Sequence, residues 1–280
     1  MVESNIKKYI KILGGNKQLL IGSIITGFVI FVAIFAPFLA PHHPVDDANL
    51  LHSLESPGAE FPLGTDPQGR CLLSRLIYGA RVSLIIGFVS QGINTFIGTV
   101  LGLTAGFAGG RVDDLIMNFT NIILSIPPLI LALTILAILG PSMWTIFLAL
   151  GFTLWTYTCR VARARTLSLK EKEFVEAARS LGLSRFKIAL KHIFPNIFGP
   201  LLVIATFGVA SAILLEASLS FLGIGTQPPT PSWGTIISRG RDYIYSAPWL
   251  MLYPGIAIFL TVLGVNLLGD GLRDFWDPRV

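Results

Sequence analysis

Long apolar stretches alternate with short polar segments along the chain. Five long, strongly apolar stretches contain no Asp, Glu, Lys or Arg: 18–45, 82–110, 115–159, 192–215 and 243–269. Because an α-helix rises about 1.5 Å per residue, about 20 apolar residues cross the hydrocarbon core of a bilayer. The 115–159 stretch is long enough for two crossings, and its Gly140-Pro141-Ser142 segment is typical of a turn. The pattern therefore predicts an all-α integral membrane protein with six transmembrane helices.

The six spans are predicted near 19–39, 82–107, 115–139, 143–162, 198–222 and 249–269. They divide the chain into an N-terminal segment (1–18), a first span (19–39), an outer insertion (40–81), a core domain (82–269) and a tail (270–280). The core domain includes a long polar loop at about 165–197, which joins the fourth and fifth spans.

The outer insertion is predicted to carry an interfacial amphipathic helix from Gln68 to about Gly79. Asp66 is the expected N-cap, because Asp accepts hydrogen bonds from the free N–H groups of a first helical turn. We expect Arg70 and Arg75 to point away from the apolar side of this helix. Asp66, Arg70 and Arg75 are candidates for the contacts of the outer loop.

The composition and the distribution of charge predict how the chain is oriented in the membrane. The chain is 52% hydrophobic and 13% charged, about half the charged fraction of an ordinary soluble domain. With the N-terminus placed in the cytoplasm, sixteen of the 21 Lys and Arg residues fall on the cytoplasmic side, as the positive-inside rule requires. Both termini and the polar loop are therefore expected in the cytoplasm. The excess of Lys and Arg over Asp and Glu is explained by the membrane orientation, so nucleic acid is not expected as a partner.

Small residues and prolines within the spans suggest close helix contacts and a bend. Gly98, Gly102, Gly106 and Gly110 recur every four residues, which places them on one helix face and lets another backbone approach. The partner helix is either one of the same chain or one of a second subunit. Pro127 and Pro128 interrupt the third span. They either shape a passage or serve packing alone.

Glu216 is an acidic residue within the predicted fifth span. A charge inside a bilayer is costly, so such a residue needs a role or a set of partners. One interpretation makes Glu216 a group of the transport pathway, together with Pro127 and Pro128. The other gives its carboxyl hydrogen bonds from neighbouring serines such as Ser218 or Ser220.

The polar loop is predicted to fold as two short helices. A capping box from Ser168 to Glu171 would begin the first helix, and Gly182 in a left-handed conformation would end it. Ser184 would cap the second helix, and Pro195 would stop it. The first helix would carry Phe174, Ala177, Ala178 and Leu181 on one side. Such an elbow, with one apolar and one basic surface, suits contact with a soluble partner.

The segment Glu176-Ala177-Ala178, followed by Gly182 and then by Pro195, resembles the EAA loop of ABC importer permeases. The outer insertion and the later spans narrow the resemblance to the dipeptide/oligopeptide permease family and its C-type subunit. The segments that carry it are Leu63-Gly64-Thr65-Asp66, Gly69-Arg70, Leu73 to Arg81, Ser218 to Gly223, Pro228-Pro229, Ser232-Trp233-Gly234, Gly269 to Asp274 and Asp277-Pro278-Arg279.

The resemblance covers residues from about 17 to the end, with two departures. Cys71 stands where the family pattern has an acid, and His192 and Phe194 replace the Ile and Leu of the general EAA pattern. The second departure suits the peptide branch. The first affects only the contacts of the outer loop.

The resemblance implies a non-catalytic subunit of the bacterial or archaeal cytoplasmic membrane. It makes the elbow a coupling helix that docks on a cytoplasmic ATPase. The residues expected to carry the coupling are Phe174, Glu176, Ala177, Ala178, Leu181, Gly182 and Arg185. The expected partners are a sister permease, two ATPase subunits, an extracytoplasmic solute-binding protein and membrane lipid.

No cofactor is expected on this chain, because ATP and Mg²⁺ would bind the ATPase subunits. The sequence lacks the Gly-x4-Gly-Lys-Ser/Thr motif that cradles ATP phosphates. The four histidines show no zinc-binding spacing, so no metal site is expected.

Peptides are the expected cargo, with a nickel chelate or glutathione as alternatives that use the same architecture. An ion-coupled secondary transporter is the rival from another class. Such a protein normally places several ionisable groups at the midplane, and this chain offers one off-centre glutamate. A membrane enzyme is disfavoured because no catalytic cluster or Gly-x-Ser-x-Gly segment occurs.

Overall fold

The structure is a computed structural model that describes the backbone of residues 16–276 and the side chains of residues 16–274. Five helices are long and apolar enough to cross a membrane, and one bent pair of helices makes a sixth candidate span. The predicted all-α membrane fold is confirmed. Residues 1–15 of the predicted N-terminal segment and residues 277–280 of the predicted tail lie outside the described range.

The helices, numbered in chain order, are α1 (Lys17–Ile34), α2 (Ala36–Leu39), α3 (Leu72–Ala108), α4 (Gly110–Leu124), α5 (Pro128–Leu139), α6 (Met143–Lys170), α7 (Glu173–Ser180), α8 (Arg185–Ile188), α9 (Phe194–Phe221), α10 (Trp233–Gly240) and α11 (Trp249–Trp276). Short 3₁₀ turns occur at Leu50–His52 and Arg241–Tyr243. A π-helical turn at Ala189–Ile193 joins α8 to α9.

Helix α3 corrects the prediction of a separate interfacial helix. It begins at Leu72 and continues without a break for 37 residues, because no proline interrupts it before Ala108. At about 1.5 Å per residue it is roughly 55 Å long, well beyond the thickness of a hydrocarbon core. Asp66 is therefore not the N-cap of a helix. Arg70 and Arg75 do not point away either, since both side chains are buried.

The predicted third span is two helices that meet at a right angle. Helices α4 and α5 are bent by 90° across the short break before Pro128. Pro127 adopts a non-helical conformation (φ −54°, ψ 132°), and proline disfavours a helical residue immediately before it. The proline pair thus forms a corner between two helices, where the sequence predicted a kinked single span.

Three of the four glycines in the predicted stripe pack against α6 of the same chain. A Cβ atom would lie 2.6 Å from the Thr158 side chain at Gly98 and 2.4 Å from the Cys159 carbonyl oxygen at Gly102. The same atom at Gly106 would lie 2.7 Å from Thr166. The backbone of α3 is therefore in direct contact with α6 at these three glycines. Gly110 departs from the prediction, because it begins α4 and a Cβ there would meet no atom within 4 Å.

The other long helices complete the bundle around α3. Helix α1 packs along α11, and α9 packs against both α3 and α11. A buried apolar cluster holds these helices together, and its members include Ala33, Leu84, Val209, Ile213 and Ile258. The start of α3 adjoins the insertion at residues 40–71, and its last turn adjoins the elbow formed by α7 and α8. The bundle therefore has an insertion end and an elbow end.

Candidate functional site

Helices α7 and α8 form the elbow that the sequence predicted. Gly182 joins them in a left-handed conformation (φ +77°), which glycine adopts without steric cost. The backbone N–H of Leu183 donates to the carbonyl oxygen of Ala178 at 3.2 Å, which closes the end of α7. Ser184 caps α8, since its side chain accepts from the backbone N–H of Lys187 at 3.4 Å. The glycine turn and the Ser184 cap are therefore confirmed.

Both outer boundaries of the elbow differ from the prediction. The capping box from Ser168 to Glu171 is wrong, because α6 runs through Ser168 and ends at Lys170. The Lys170 ammonium donates to the carbonyl oxygen of Gly106 at 3.1 Å and holds the end of α6 against α3. Pro195 does not stop a helix either. It lies in the first turn of α9, where its missing N–H costs no hydrogen bond.

One side of the elbow is buried in the bundle. Val175 and Ala178 of α7 join Ile188 of α8 and Ile193 of the π turn in one apolar cluster. The cluster also contains Leu103 of α3, Ala162 of α6, and Ile197 and Leu201 of α9. The elbow is therefore packed against three long helices at once.

The opposite side of α7 and α8 carries three large apolar side chains that remain exposed. Phe174 is 41% exposed, Leu181 79% and Phe186 73%. We call these three residues, with the exposed Glu176 and Ala177 between them, the elbow surface. The single apolar side predicted for the first helix is thus divided, because Ala178 faces the bundle. Arg185 is exposed beside the elbow surface, and Gly182 lies at the turn.

Polar contacts that the sequence analysis missed join the elbow end of the bundle. The Arg179 guanidinium lies 5.8 Å from the ring centroid of Phe107, at the end of α3. Arg163 of α6 donates two hydrogen bonds to the Asp113 carboxylate of α4, at 2.5 and 2.6 Å. These pairs are 72 and 50 residues apart in sequence, so local spacing gives no sign of them.

A cleft of about 990 Å³ opens among α3, α6, α9 and α11. It runs from the middle of α3 to the elbow ends of α6 and α9, and both polar and apolar side chains line it. The lining residues are Gln91, Asn94, Leu154, Tyr157, Thr158, Val161, Arg165, Pro195, Asn196, Gly199, Pro200, Val203, Ile204, Phe207, Gly208, Ser211 and Arg273. Gln91 and Asn94 lie about one turn apart in an apolar span, and this spacing is the sequence signal that points to the cleft.

The three predicted pathway residues do not line this cleft. Pro127 and Pro128 form the corner between α4 and α5, on another side of α6. Glu216 is buried near the insertion end of α9. Its Oε1 accepts from the hydroxyls of Ser220 at 2.6 Å and Ser232 at 2.9 Å.

The surroundings of Glu216 support its interpretation as a hydrogen-bonded carboxyl. The Thr226 hydroxyl is a third donor, at 3.4 Å. Ser220 is one of the two serines named from the sequence, whereas the hydroxyl of Ser218 donates to the carbonyl oxygen of Leu214. Ser232 is also the N-cap of α10. Glu216 therefore ties α9 to the following loop and to the start of α10.

Asp66 organises a buried cluster at the insertion end. Its Oδ2 lies 2.6 Å from Nη2 of Arg70 and 3.3 Å from Nε of Arg75. Arg75 also donates to the carbonyl oxygen of Pro44 at 2.9 Å. Arg239 of α10 joins the cluster through Gln68, and burial together with the charge of Arg70 lowers the pKa of Arg239. These contacts fasten the insertion to the bundle.

Long apolar helices with a cleft among them, together with an elbow that exposes apolar side chains, are typical of a transport subunit that works with a soluble partner. Residues 98–280 match the model of the binding-protein-dependent transport system inner membrane component family. Residues 8–57 match the N-terminal transmembrane domain of oligopeptide transport permease C. The chain belongs to the binding-protein-dependent transport system inner membrane component family and lies in the inner membrane.

Curated relatives resemble nearly the whole chain. The dipeptide transport system permease protein of Alkalihalophilus pseudofirmus is 43% identical, over 96% of this chain and 88% of that protein. The di/tripeptide permease of Pseudomonas aeruginosa is 42% identical, over 99% and 93%. The oligopeptide permease of Haemophilus influenzae is 40% identical, over 94% and 85%.

A solved structure shows the same fold. An inward-facing form of the MetNI methionine ABC transporter matches 74% of this chain and 98% of its own, with a TM-score of 0.59. The two sequences are 20% identical, so the likeness concerns the fold.

Proposed function

We propose that this chain is the transmembrane permease subunit of an ATP-driven importer of dipeptides or oligopeptides. The observation that carries the proposal is the elbow surface, where Phe174, Leu181 and Phe186 lie uncovered around Glu176. Large apolar side chains grouped on an exposed surface are typical of a protein contact. Relatives named for dipeptide, di/tripeptide and oligopeptide transport supply the cargo class.

The elbow surface binds a groove on a separate cytoplasmic ATPase subunit, which holds ATP and Mg²⁺. Glu173 and Glu176 lie in the first turn of α7, where negative charge is favourable beside the helix N-terminus. Movement of the ATPase pair displaces α7 and α8, and the buried cluster around Val175 and Ile193 transmits the displacement to α3, α6 and α9. The elbow end therefore faces the cytoplasm.

The cleft is this chain's half of the translocation path. A single bundle of six spans is thin for enclosing a peptide-sized path, so a sister permease completes the enclosure, and two ATPase subunits bind the two elbows. A solute-binding protein delivers cargo at the insertion end, which the Asp66, Arg70 and Arg75 cluster keeps in shape. Candidates for coupling in this scheme are Phe174, Glu176, Ala177, Ala178, Leu181, Gly182 and Arg185.

The test is uptake by the complete complex in proteoliposomes, with the sister permease, the ATPase subunits and the solute-binding protein from the same organism. Radiolabelled dipeptide should accumulate with ATP and fail to accumulate with a non-hydrolysable analogue. An imposed proton or sodium gradient without ATP should drive no uptake. Accumulation of a nickel chelate or glutathione in place of peptide would overturn the cargo assignment, and gradient-driven uptake would overturn the class.

A further inference from the structure

Two amide side chains lie deep in the cleft, near the middle of α3. Gln91 and Asn94 are each 3% exposed, and both line the cleft. They are three residues apart and therefore lie on the same side of the helix. Polar groups at this depth in a membrane helix are costly unless they hydrogen-bond. Their internal partners account for only part of their hydrogen-bonding capacity.

In each amide, one of the two polar atoms makes a hydrogen bond to a neighbouring side chain. The Asn94 Oδ1 accepts from the Thr158 hydroxyl at 2.9 Å, whereas its Nδ2 makes no hydrogen bond to a described residue. The Gln91 Nε2 donates to the Thr95 hydroxyl at 2.9 Å. The Gln91 Oε1 is buried and has no donor among the residues that the structure describes. The pair thus offers one acceptor and one donor, about one helical turn apart.

The position of the Gln91 amide depends on a glycine of the facing helix. A Cβ atom at Gly208 of α9 would lie 2.1 Å from the Gln91 Oε1 and 2.5 Å from its Nε2. Any larger residue at 208 would displace the amide. The Gln91 amide therefore packs in the contact between α3 and α9, beside the cleft.

We propose that Gln91 and Asn94 form a binding site for the peptide group of the cargo as it passes through the cleft. The Gln91 Oε1, which α9 covers at Gly208 in this conformation, accepts from a substrate N–H once α3 and α9 move apart there, and the Asn94 Nδ2 donates to a substrate carbonyl oxygen. The inference rests on the proposed function and deepens it. It names a neutral secondary amide as the recognised group, which every dipeptide and oligopeptide contains whatever its side chains.

The lining of the cleft favours this ligand over a cation. Among the lining residues there is no Asp or Glu, and the charged members, Arg165 and Arg273, are cationic and belong to the elbow end. Amide and hydroxyl groups supply the polar surface at depth. A metal cation would meet neither a carboxylate nor an imidazole there.

The first experiment compares Gln91→Met and Asn94→Leu with the unmodified complex in proteoliposomes. Loss of one hydrogen bond of ordinary strength should slow ATP-driven dipeptide uptake by about fivefold. ATP hydrolysis stimulated by the binding protein should keep its rate, so the number of peptides moved per ATP falls. A structural defect would lower both rates together.

Thr99→Val is the matched control. The Thr99 hydroxyl oxygen is also buried on α3 without a partner among the described residues, but Thr99 does not line the cleft. It lines an apolar groove that shares only Gln91 with the cleft. Its substitution should leave peptides per ATP unchanged. An equal loss in Thr99→Val would assign the effect to helix packing and overturn the inference.

The second experiment locates the contact directly. A dipeptide with a photoreactive diazirine is added to the working complex, and the labelled segment is identified by mass spectrometry. Label at residues 91–94 supports the inference. If the unmodified complex takes up dipeptide and both variants move as many peptides per ATP as it does, this site is overturned and the proposed function stands. If the unmodified complex takes up no dipeptide, the proposed function itself is overturned.

Discussion

The Arg163 guanidinium holds the Asp113 carboxylate with two parallel hydrogen bonds, through Nε at 2.5 Å and Nη2 at 2.6 Å. This two-point geometry is the strongest form of a side-chain ion pair, and lysine cannot reproduce it. Asp113 lies in the first turn of α4, and Arg163 lies in the last third of α6. The pair therefore fixes the start of α4 against the helix that leads into the elbow.

Loss of this pair should loosen the coupling between the elbow and the bundle. We expect Asp113→Asn and Arg163→Lys each to lower the melting temperature of the purified protein by a few degrees and to reduce uptake per ATP. The exchanged variant Asp113→Arg with Arg163→Asp should recover part of both losses. Equal melting temperatures and uptake in all four proteins would show that the pair has no mechanical role.

Charge placed on the elbow surface should prevent binding of the ATPase without unfolding the permease. Leu181→Asp and Phe186→Asp change exposed side chains, so the membrane content of the protein should stay normal. Co-purification of the ATPase subunit should be lost, and so should peptide uptake. Glu176→Lys, which reverses the charge at the N-terminus of α7, should have the same effect.

Val175→Asp is the contrasting variant on the same helix. Val175 is fully buried in the cluster beneath the elbow, and an unpaired charge there is strongly destabilising. This variant should fail to accumulate in the membrane. If Leu181→Asp and Phe186→Asp still bind the ATPase normally, the elbow surface is not the docking site.

The turn at Gly182 should tolerate only residues that accept a positive φ. Proline fixes φ near −65° and removes the N–H that donates to the Arg179 carbonyl oxygen at 2.9 Å. Gly182→Pro should therefore leave the spans inserted and abolish ATP-driven uptake. Gly182→Asn, which enters the left-handed region at low cost, should retain most uptake. Equal uptake by the two variants would contradict the assigned geometry.

The sequence predicts the features that depend only on residues close together along the chain. Apolar stretches long enough for a bilayer predict the spans, and the left-handed turn at Gly182 follows from the properties of glycine. The start of α3 at Leu72 was missed because the residues after it suit an interfacial helix and a spanning helix equally. The sequence predicts a kink at Pro127 where the structure has a corner, since a proline pair does not specify the size of a bend.

The cleft was missed because it depends on which helices become neighbours. Gln91, Asn94 and Thr158 meet only after α3 packs on α6, and the glycine stripe indicates a close contact without naming the partner. The elbow surface was partly predicted, since helical spacing groups Phe174, Ala177, Ala178 and Leu181. The inward direction of Ala178 follows from its contact with α8 and the π turn, which no periodicity within α7 reveals.

Bulk at the glycine stripe should prevent α3 from packing on α6. Gly102→Leu places side-chain atoms where a Cβ would already lie 2.4 Å from the Cys159 carbonyl oxygen. We expect this variant to reach the membrane at a small fraction of the normal level, measured by immunoblot of membrane fractions. Gly92→Leu is the control on the same helix, because a Cβ at Gly92 meets no atom within 4 Å. It should accumulate normally, and similar losses in both variants would remove the packing explanation.

Glu216 should matter as an acceptor of hydrogen bonds and not as a charge. Glu216→Gln keeps a carbonyl oxygen that can accept from the Ser220 and Ser232 hydroxyls, so the melting temperature should stay within a few degrees of the unmodified protein. Glu216→Leu leaves those two buried hydroxyls without their acceptor, at a cost of about 1–3 kcal/mol for each. Its melting temperature should fall clearly, and α10 should lose protection in hydrogen exchange because its N-cap, Ser232, loses a partner. Equal uptake by Glu216→Gln and the unmodified protein would exclude a charged pathway group, whereas loss of uptake in a stable Glu216→Gln would restore that role.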